Sequence, residues 1–257
     1  MKKNSLMILK KRSFQKLGTA AVLVGLSFMA QCTHRAGSEY NIAAVYTQSA
    51  INIDGILDES AWQRATPVFL KNNRSDQEVN REVSTRVMTC YDDSTLYIGF
   101  ICNDPDIWTR FTQRDEHLWT EEAVEVFIDV DDVPDTYVEI EVSPANVLFD
   151  SYIVDPQNIN IPATAAFNLP GIRTAVKIAG TLNVRADMDS SWSVEIAVPF
   201  RDLAMARTKN VTAGMSIKVN FFRLDKNQGM ASASYAWSPT NGRFHNPASF
   251  GRLLFKK

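Results

Sequence analysis

The sequence predicts an all-β protein, an antiparallel two-sheet β-sandwich, and three observations carry that prediction. Short segments in which apolar and polar residues alternate with period two recur at roughly 8–12-residue spacing. Turn-forming residues separate them, among them Asp54-Gly55, Asp92-Asp93-Ser94, Gly180 and Gly214. A 3.6-residue apolar repeat is nearly absent, so helices have little place in the fold.

The first stretch stands apart from the sandwich. Residues 1–31 hold Lys2, Lys3, Lys10, Lys11, Arg12 and Lys16 and no acid, and Leu17–Ala30 is apolar and small. A basic start before a short apolar run is a secretory signal, too short to favour a membrane span. Met29-Ala30-Gln31-Cys32 resembles the lipobox of bacterial lipoproteins, although Gln31 departs from the small residue usual there. The reading is an exported outer-membrane or periplasmic lipoprotein anchored at Cys32, with the lipid as its only membrane contact. A polar tether over residues 32–45 and one sandwich domain over residues 46–257 follow. The chain is 45% hydrophobic and 22% charged, which permits a sizeable core. Loss of the signal removes six of 27 basic and none of 29 acidic residues, leaving −8. That charge argues against nucleic acid and anionic membrane surfaces as partners and is neutral towards a glycan.

Asp54-Gly55 makes a turn, and Asp58 can cap a short helix over Glu59–Ala65 that folds Leu57 and Trp62 onto the core. Thr85–Tyr91 and Leu96–Cys102 form a hairpin. Pairing Tyr91 with Leu96 sets Cys90 against Tyr97 and Cys102 against Thr85, so the thiols point to opposite faces and no disulfide is expected. Ile107–Leu118 is a loop rich in aromatics and ions, including Trp108, Arg110, Arg114 and His117. Further strands are expected at Tyr137–Val142, Asn146–Ile153, Thr174–Ile178, Leu182–Ala186, Trp192–Val198, Met215–Leu224, Met230–Trp237 and Ser249–Phe255. Pro199–Leu203 reads as one helical turn, and Pro156–Pro170 as an irregular insertion.

The stretch Trp119-Thr-Glu-Glu-Ala-Val-Glu-Val-Phe-Ile-Asp129 organises the rest. Val124, Val126 and Ile128 alternate with Glu125, Phe127 and Asp129, so one face is buried and an acidic, aromatic face is presented. A flat apolar ring beside carboxylates suits a sugar; an ordinary sandwich strand with a solvated acidic face accounts for the same pattern. Matching apolar faces pairs Ile128 with Ile140 and puts Asp129 opposite Glu139, so a cation or a shared proton is expected between them. Asp129-Val-Asp131-Asp132-Val-Pro-Asp135 is calcium-like but departs from an EF-hand at Pro134 and Ile140. His34, His117 and His245 share no metal-ligand spacing. Glu125, Glu139 and Glu141 could supply a glycosidase pair, which needs carboxylates ~5–9.5 Å apart, but so could any acidic sheet face.

Several motifs occur in an order that resembles carbohydrate-binding module family 9, within the wider DOMON-like domains. They are Ile53-Asp-Gly-Ile-Leu-Asp-Glu-Ser-Ala-Trp62, Tyr91-Asp-Asp-Ser-Thr-Leu-Tyr-Ile-Gly-Phe100 and the Trp119–Asp129 stretch. Trp192-Ser-Val-Glu-Ile-Ala-Val-Pro-Phe200, Trp237-Ser-Pro-Thr240, Phe244-His-Asn-Pro247 and Phe250-Gly-Arg-Leu253 complete the series. The resemblance implies a sandwich whose slot grips a glycan end or small saccharide between two tryptophans, with structural calcium in some members. By correspondence the tryptophans are Trp119 and Trp237, the strand glutamate is Glu125, and Glu139, Asn146 and Arg223 are further hydroxyl contacts. Trp62 and Trp192 are assigned to the core. The implied role is non-catalytic binding of xylan- or cellulose-type glycans beside separate glycoside hydrolases. Two alternatives stay open. One is a xylanase-type hydrolase using Glu125, Glu139 or Glu141. The other is a haem-binding DOMON-type cytochrome using Met88 with His117 or Met230 with His245.

Overall fold

The structure is a computed structural model that describes residues 40–133, 135–205, 212–227 and 232–257. The expected signal peptide, Cys32, most of the expected tether, Pro134 and Met230 lie outside the described residues. Among the described residues the strands are β1 (Asn41–Tyr46), β2 (Val68–Phe69), β3 (Lys71–Asn72), β4 (Thr85–Tyr91), β5 (Thr95–Asn103), β6 (Ala123–Asp129) and β7 (Tyr137–Val142). They continue with β8 (Leu148–Ile153), β9 (Arg173–Ala179), β10 (Ser191–Pro199), β11 (Ser216–Asp225), β12 (Ala233–Ala236) and β13 (Gly251–Lys256). Helices are short: α1 (Ser60–Arg64), α2 (Ile161–Thr164) and α3 (Phe200–Met205).

Hydrogen bonding runs β8-β7-β6-β11-β13-β1-β4-β5-β10-β9, with β12 bridging β11 and β3 and β2 beside β4. This path curls into a sandwich. Phe100 on β5 and Phe221 on β11 meet edge to face at 6.0 Å, although three strands separate them along the path. The core between the two halves takes one residue in two from each strand, such as Val124, Val126, Ile140, Phe221, Phe100 and Val194.

Two expectations change at β1. The sequence places Asn41–Ala44 in the tether and all pairing antiparallel. Instead β1 lies mid-path and runs parallel to both β13 and β4, so Asn41–Tyr46 belongs to the sandwich. Ile42 and Ala44 are buried there, but a six-residue strand of small side chains carries little periodic signal.

The β4–β5 hairpin has the expected register, Tyr91 with Leu96 and Cys90 with Tyr97. Cys102 joins the central core and Cys90 the cluster outside it, both as buried free thiols. Leu182–Ala186 is irregular rather than a strand, because Asn183 adopts φ +64 and Asp189 is held against Thr181. The β6–β7 register is shifted by two residues from the one expected. Ile128 pairs with Val138, Phe127 faces Glu139, and Glu125 faces Glu141. The acidic opposition is therefore Glu125 with Glu141, and Asp129 opposes no carboxylate.

The outer face of β4, β5 and β10 is closed by residues 51–65. Leu57 and Trp62 sit directly on Gly99, where a Cβ would come within 2.2 Å of Leu57 Cδ2, so any larger residue would make the Leu57 side chain shift. Glu195, buried beneath it, accepts from the Asp54 and Gly55 amides, both at 2.9 Å, and from Trp62 Nε1 at 3.0 Å.

Candidate functional site

The outer face of the other half is built differently. Alternation sends Glu125 and Phe127 of β6, Glu139 and Glu141 of β7, and Phe222 and Leu224 of β11 away from the core. These residues are not left to solvent, contrary to the presented face expected from sequence. Glu125 and Glu141 are each 1% exposed, and Phe127 is fully buried. Tyr137, Phe250, Phe244 and His245 cover them. Phe127 stacks on Tyr137 at 5.2 Å and on His245 at 5.2 Å, and Phe244 lies flat on Phe222 at 4.2 Å.

A cleft of about 540 Å³ remains above this face, within the ~300–1,000 Å³ usual for small-ligand sites. Trp119, Phe244, Ile159, Ile161 and Leu224 supply apolar surface; Glu125, Glu139, His245 and Arg74 supply polar groups. Trp119 is placed by a single 3₁₀ turn (Leu118–Thr120) anchored by buried Leu118. His117 stacks on its indole at 4.5 Å and Phe149 meets it edge-on at 5.2 Å, so the ring is held and half-buried. The insertion at residues 156–170 forms part of the wall. Arg243 ties it to the Phe244 loop, donating to Gln157 Oε1 at 2.7 Å and to the Pro156 carbonyl at 2.6 Å. A larger depression of about 650 Å³ around Arg173 and Arg201 offers only Phe200 as an aromatic and pairs it with no buried acid.

The electrostatics of the floor are set by burial. Glu125, Glu139 and Glu141 are all pushed above the usual carboxylate range, first by desolvation and then, for Glu125, by the charge of Glu139 and, for Glu141, by those of Glu125 and Glu139. The Ser151 hydroxyl donates to Glu139 Oε2 at 2.7 Å. Glu125 Oε1 has no hydrogen-bond partner among the described residues, and the Trp119 main chain offsets part of the Glu141 shift. His245 is pushed down to about 4 by burial and then by Arg243, so it is neutral at pH 7. Its Nδ1 lies 2.7 Å from the Tyr137 hydroxyl and its Nε2 lies 3.9 Å from Glu139 Oε1.

Of the six ligand contacts carried over from the resemblance, the cleft brings together Trp119, Glu125 and Glu139. Trp237 is a correction. It is 4% exposed, packs on Gly251 with Tyr40 and Phe221 around it, and shares the core-facing parity of Tyr235. Arg223 is a second correction. It is fully buried inside the sandwich, donating to Asp104 Oδ2 at 2.8 Å, to the Asn103 carbonyl at 2.8 Å and to Thr85 Oγ1 at 3.2 Å. Asn146 is a third. It occupies the exposed β7–β8 turn at φ +57 and donates to the Thr174 carbonyl, away from the cleft. Phe244, His245 and Arg74 are cleft residues that sequence reasoning passed over; the Phe244-His-Asn-Pro247 motif was the available signal. Trp62 and Trp192 are core residues as expected.

The two cofactor readings meet the geometry differently. In the acidic turn after β6, Lys218 pairs with Asp132, and Arg252 Nη2 lies 2.9 Å from the same carboxylate, so calcium does not fit there. Of the two haem ligand pairs, Met88 and His117 are kept apart, Met88 packing with Trp62 on the closed outer face and His117 stacking on Trp119 on the other, while Met230, the partner considered for His245, lies outside the described residues.

The fold and cleft define a β-sandwich module with a candidate ligand site on an outer sheet face. Residues 53–257 match the carbohydrate family 9 binding domain-like family, and the chain belongs to it. An extracellular protein of Arthroderma benhamiae is 26% identical over 180 residues, 66% of this chain and 78% of its own length. Among solved structures, a candidate carbohydrate-binding protein of Bacteroides uniformis superposes with a TM-score of 0.66 at 16% identity, covering 84% of this chain and 99% of that one. A family 9 carbohydrate-binding module of Caldicellulosiruptor kristjanssonii in complex with cellotriose gives a TM-score of 0.60 at 15% identity, covering 84% and 93%. The same type of module in complex with glucose gives 0.59 at 15% identity, covering 84% and 95%.

Proposed function

We propose that the cleft binds the end of a carbohydrate chain, or a small saccharide, without turning it over. The observation that carries this reading is the meeting of two aromatic rings, Trp119 and Phe244, with Glu125 and Glu139 in one cleft. Aromatic faces bury the apolar side of a pyranose while carboxylates accept from its hydroxyls. Phe244 here takes the place that the resemblance gave to a second tryptophan. The geometry favours binding over hydrolysis, because Glu125, Glu139 and Glu141 sit together on one face of the sheet rather than on opposite walls of the cleft. Glycosidase carboxylates stand ~5–9.5 Å apart and flank the bond they cleave.

The ligand class that fits the family and its cellotriose- and glucose-bound members is a β-linked cellulose- or xylan-type glycan, captured beside separate hydrolases. The basic, then apolar start of the sequence supports export, and the Met29–Cys32 motif supports a lipid anchor at Cys32.

Calorimetric titration with cello-, xylo- and manno-oligosaccharides tests the site. Saturable binding that is lost in Trp119→Ala and Phe244→Ala, and kept in folded Trp237→Phe, is the expected result. No binding to any saccharide, or binding indifferent to Trp119 and Phe244, would reject the cleft. Metabolic labelling with palmitate, abolished in Cys32→Ser, checks the anchor.

A further inference from the structure

The floor of the cleft carries acids that a neutral sugar does not account for. Glu125 and Glu139 line it at 1% and 4% exposure, and Glu141 lies directly opposite Glu125 on the same sheet face. Like charges opposed across a ladder repel, and burial removes the water that would screen them. The hydroxyls of a neutral glycan could be read by asparagine or glutamine, which both donate and accept and carry no charge to desolvate.

Among the described residues no lysine or arginine pairs with these acids. The ion pairs that bring Lys218 and Arg252 to this half of the sheet end on Asp129 and Asp132. Arg114 is committed to Asp150, and Arg243 donates to Gln157 and Pro156. Arg74 borders the cleft but is exposed at its rim, with its side chain laid along Gly242. His245 Nε2 lies 3.9 Å from Glu139 and the ring is neutral, while the Tyr137 hydroxyl is turned to His245 Nδ1. Glu139 accepts from the Ser151 hydroxyl. Glu125 Oε1, on a side chain more than nine-tenths buried, has no hydrogen-bond partner among the described residues, so Glu125 offers the cleft an acceptor without a donor of its own.

We infer that the glycan end held in this cleft carries a protonated primary amine, as in a β-linked glucosamine, and that its ammonium is received by Glu125 and Glu139. An ammonium offers three donors and no acceptor, which suits carboxylates that, once ionised, only accept. The aromatic wall suits the same group. His117 and Phe149 hold the Trp119 indole at the cleft, and an indole face attracts a cation as well as the apolar side of a pyranose. An arriving positive charge favours the ionised form of the two buried acids, whose protons pass to solvent. Glucosamine differs from glucose by one amine in place of a ring hydroxyl, so the β-linked chain proposed as ligand keeps its shape. The inference rests on the cleft reading and narrows its ligand class.

The test is calorimetric titration of the protein at neutral pH with β-linked glucosamine oligosaccharides, their N-acetylated forms and cello-oligosaccharides of equal length. The amine forms bind about 10-fold more tightly than the cello forms, because a charge-assisted hydrogen bond is about twice as strong as a neutral one. N-acetylation removes the charge and the advantage with it. Glu139→Gln and Glu125→Gln, each titrated with both ligands, bring the two affinities together, and Trp119→Ala weakens both. Amine forms that bind the wild type no better than cello forms overturn the inference and leave the cleft standing. That comparison needs no variant, so a folding failure cannot decide it. An advantage that survives N-acetylation, or that persists unchanged in the folded glutamine variants, also overturns it. Absence of binding by every saccharide, or binding indifferent to Trp119, rejects the cleft and the inference together.

Discussion

Two buried carboxylate triads lie a few residues apart along the chain and have opposite characters. Asp104, Glu122 and Asp225 meet inside the sandwich, while Glu125, Glu139 and Glu141 meet on its outer face. The first triad encloses the guanidinium of Arg223, 2.8 Å from Asp104 and 3.4 Å from Asp225, with Trp192 Nε1 also donating to Asp104. Glu122, its third member, is pushed up to about 10 by burial and by Asp104, so it enters as a neutral acid. Asp104 and Asp225 thus share one cation supplied by the chain itself. Among the described residues the second triad accepts from the Ser151 hydroxyl and forms no ion pair with a lysine or arginine. A buried acid with its partner folded beside it holds structure together; a buried acid without one is arranged for something that arrives. Glu195 repeats the first case on the opposite outer face, with three donors around one carboxylate.

Arg223→Met should break the comparison most severely. It removes the cation from the first triad and leaves Asp104 and Asp225 unpaired, at about 3–5 kcal/mol of stability. Urea unfolding measures it; a loss under 1 kcal/mol would mean the guanidinium is not what balances those acids. Asp104→Asn is the milder form, expected to cost ~1.5–3 kcal/mol because the bond it weakens is to a charged group. The corresponding change in the other triad, Glu141→Gln, should cost nothing, because it removes an acid that has no ion-pair partner. Equal losses from the two substitutions would erase the distinction between the triads.

Trp119→Ala probes the site above the second triad. An anchor aromatic of this kind contributes ~2 kcal/mol, so affinity for the best oligosaccharide should fall about 30-fold. Calorimetry on the folded variant reads the change.

The smallest expected effect concerns His245. Its folded pKa of about 4 lies below the unfolded value near 6.5. Between these values the unfolded chain binds the proton and the folded chain does not. Stability is therefore lost as pH falls from about 6.5 to about 4, and unaffected by this group above that window. Phenylalanine at position 245 keeps the stack on Phe127 and should flatten this part of the pH profile. Urea midpoints at pH 7 and pH 5 for both proteins check it. An unchanged slope would mean His245 is already charged and acts as a counter-ion for Glu139, which would undercut the contrast between the triads.

Much of the fold was legible because strand alternation is local. Parity along β6 sends Val124 and Val126 inward and Glu125 outward, and the same count puts Glu122 on the core side. The hairpin register followed from its turn, and Trp62 and Trp192 from their motifs. Half of the ligand set was not legible. Trp237 and Asn146 were assigned by correspondence, and nothing in their neighbours says that Gly251 leaves room for an indole or that Asn146 tops a tight turn. Arg223 looked like a polar reader because its partners, Asp104 and Asn103, lie about 120 residues away.

The sequence by itself determined the alternation, and with it which side chains face the core and which face outward, because a strand's period is fixed by its own backbone. Tertiary structure decided which outward residues share a place. The two-residue shift between β6 and β7 set Glu125 against Glu141, the C-terminal loop laid Phe244 and His245 over them, and the insertion closed a wall. Each depends on contacts between distant segments, and those are settled by packing and register rather than by any local pattern of residues.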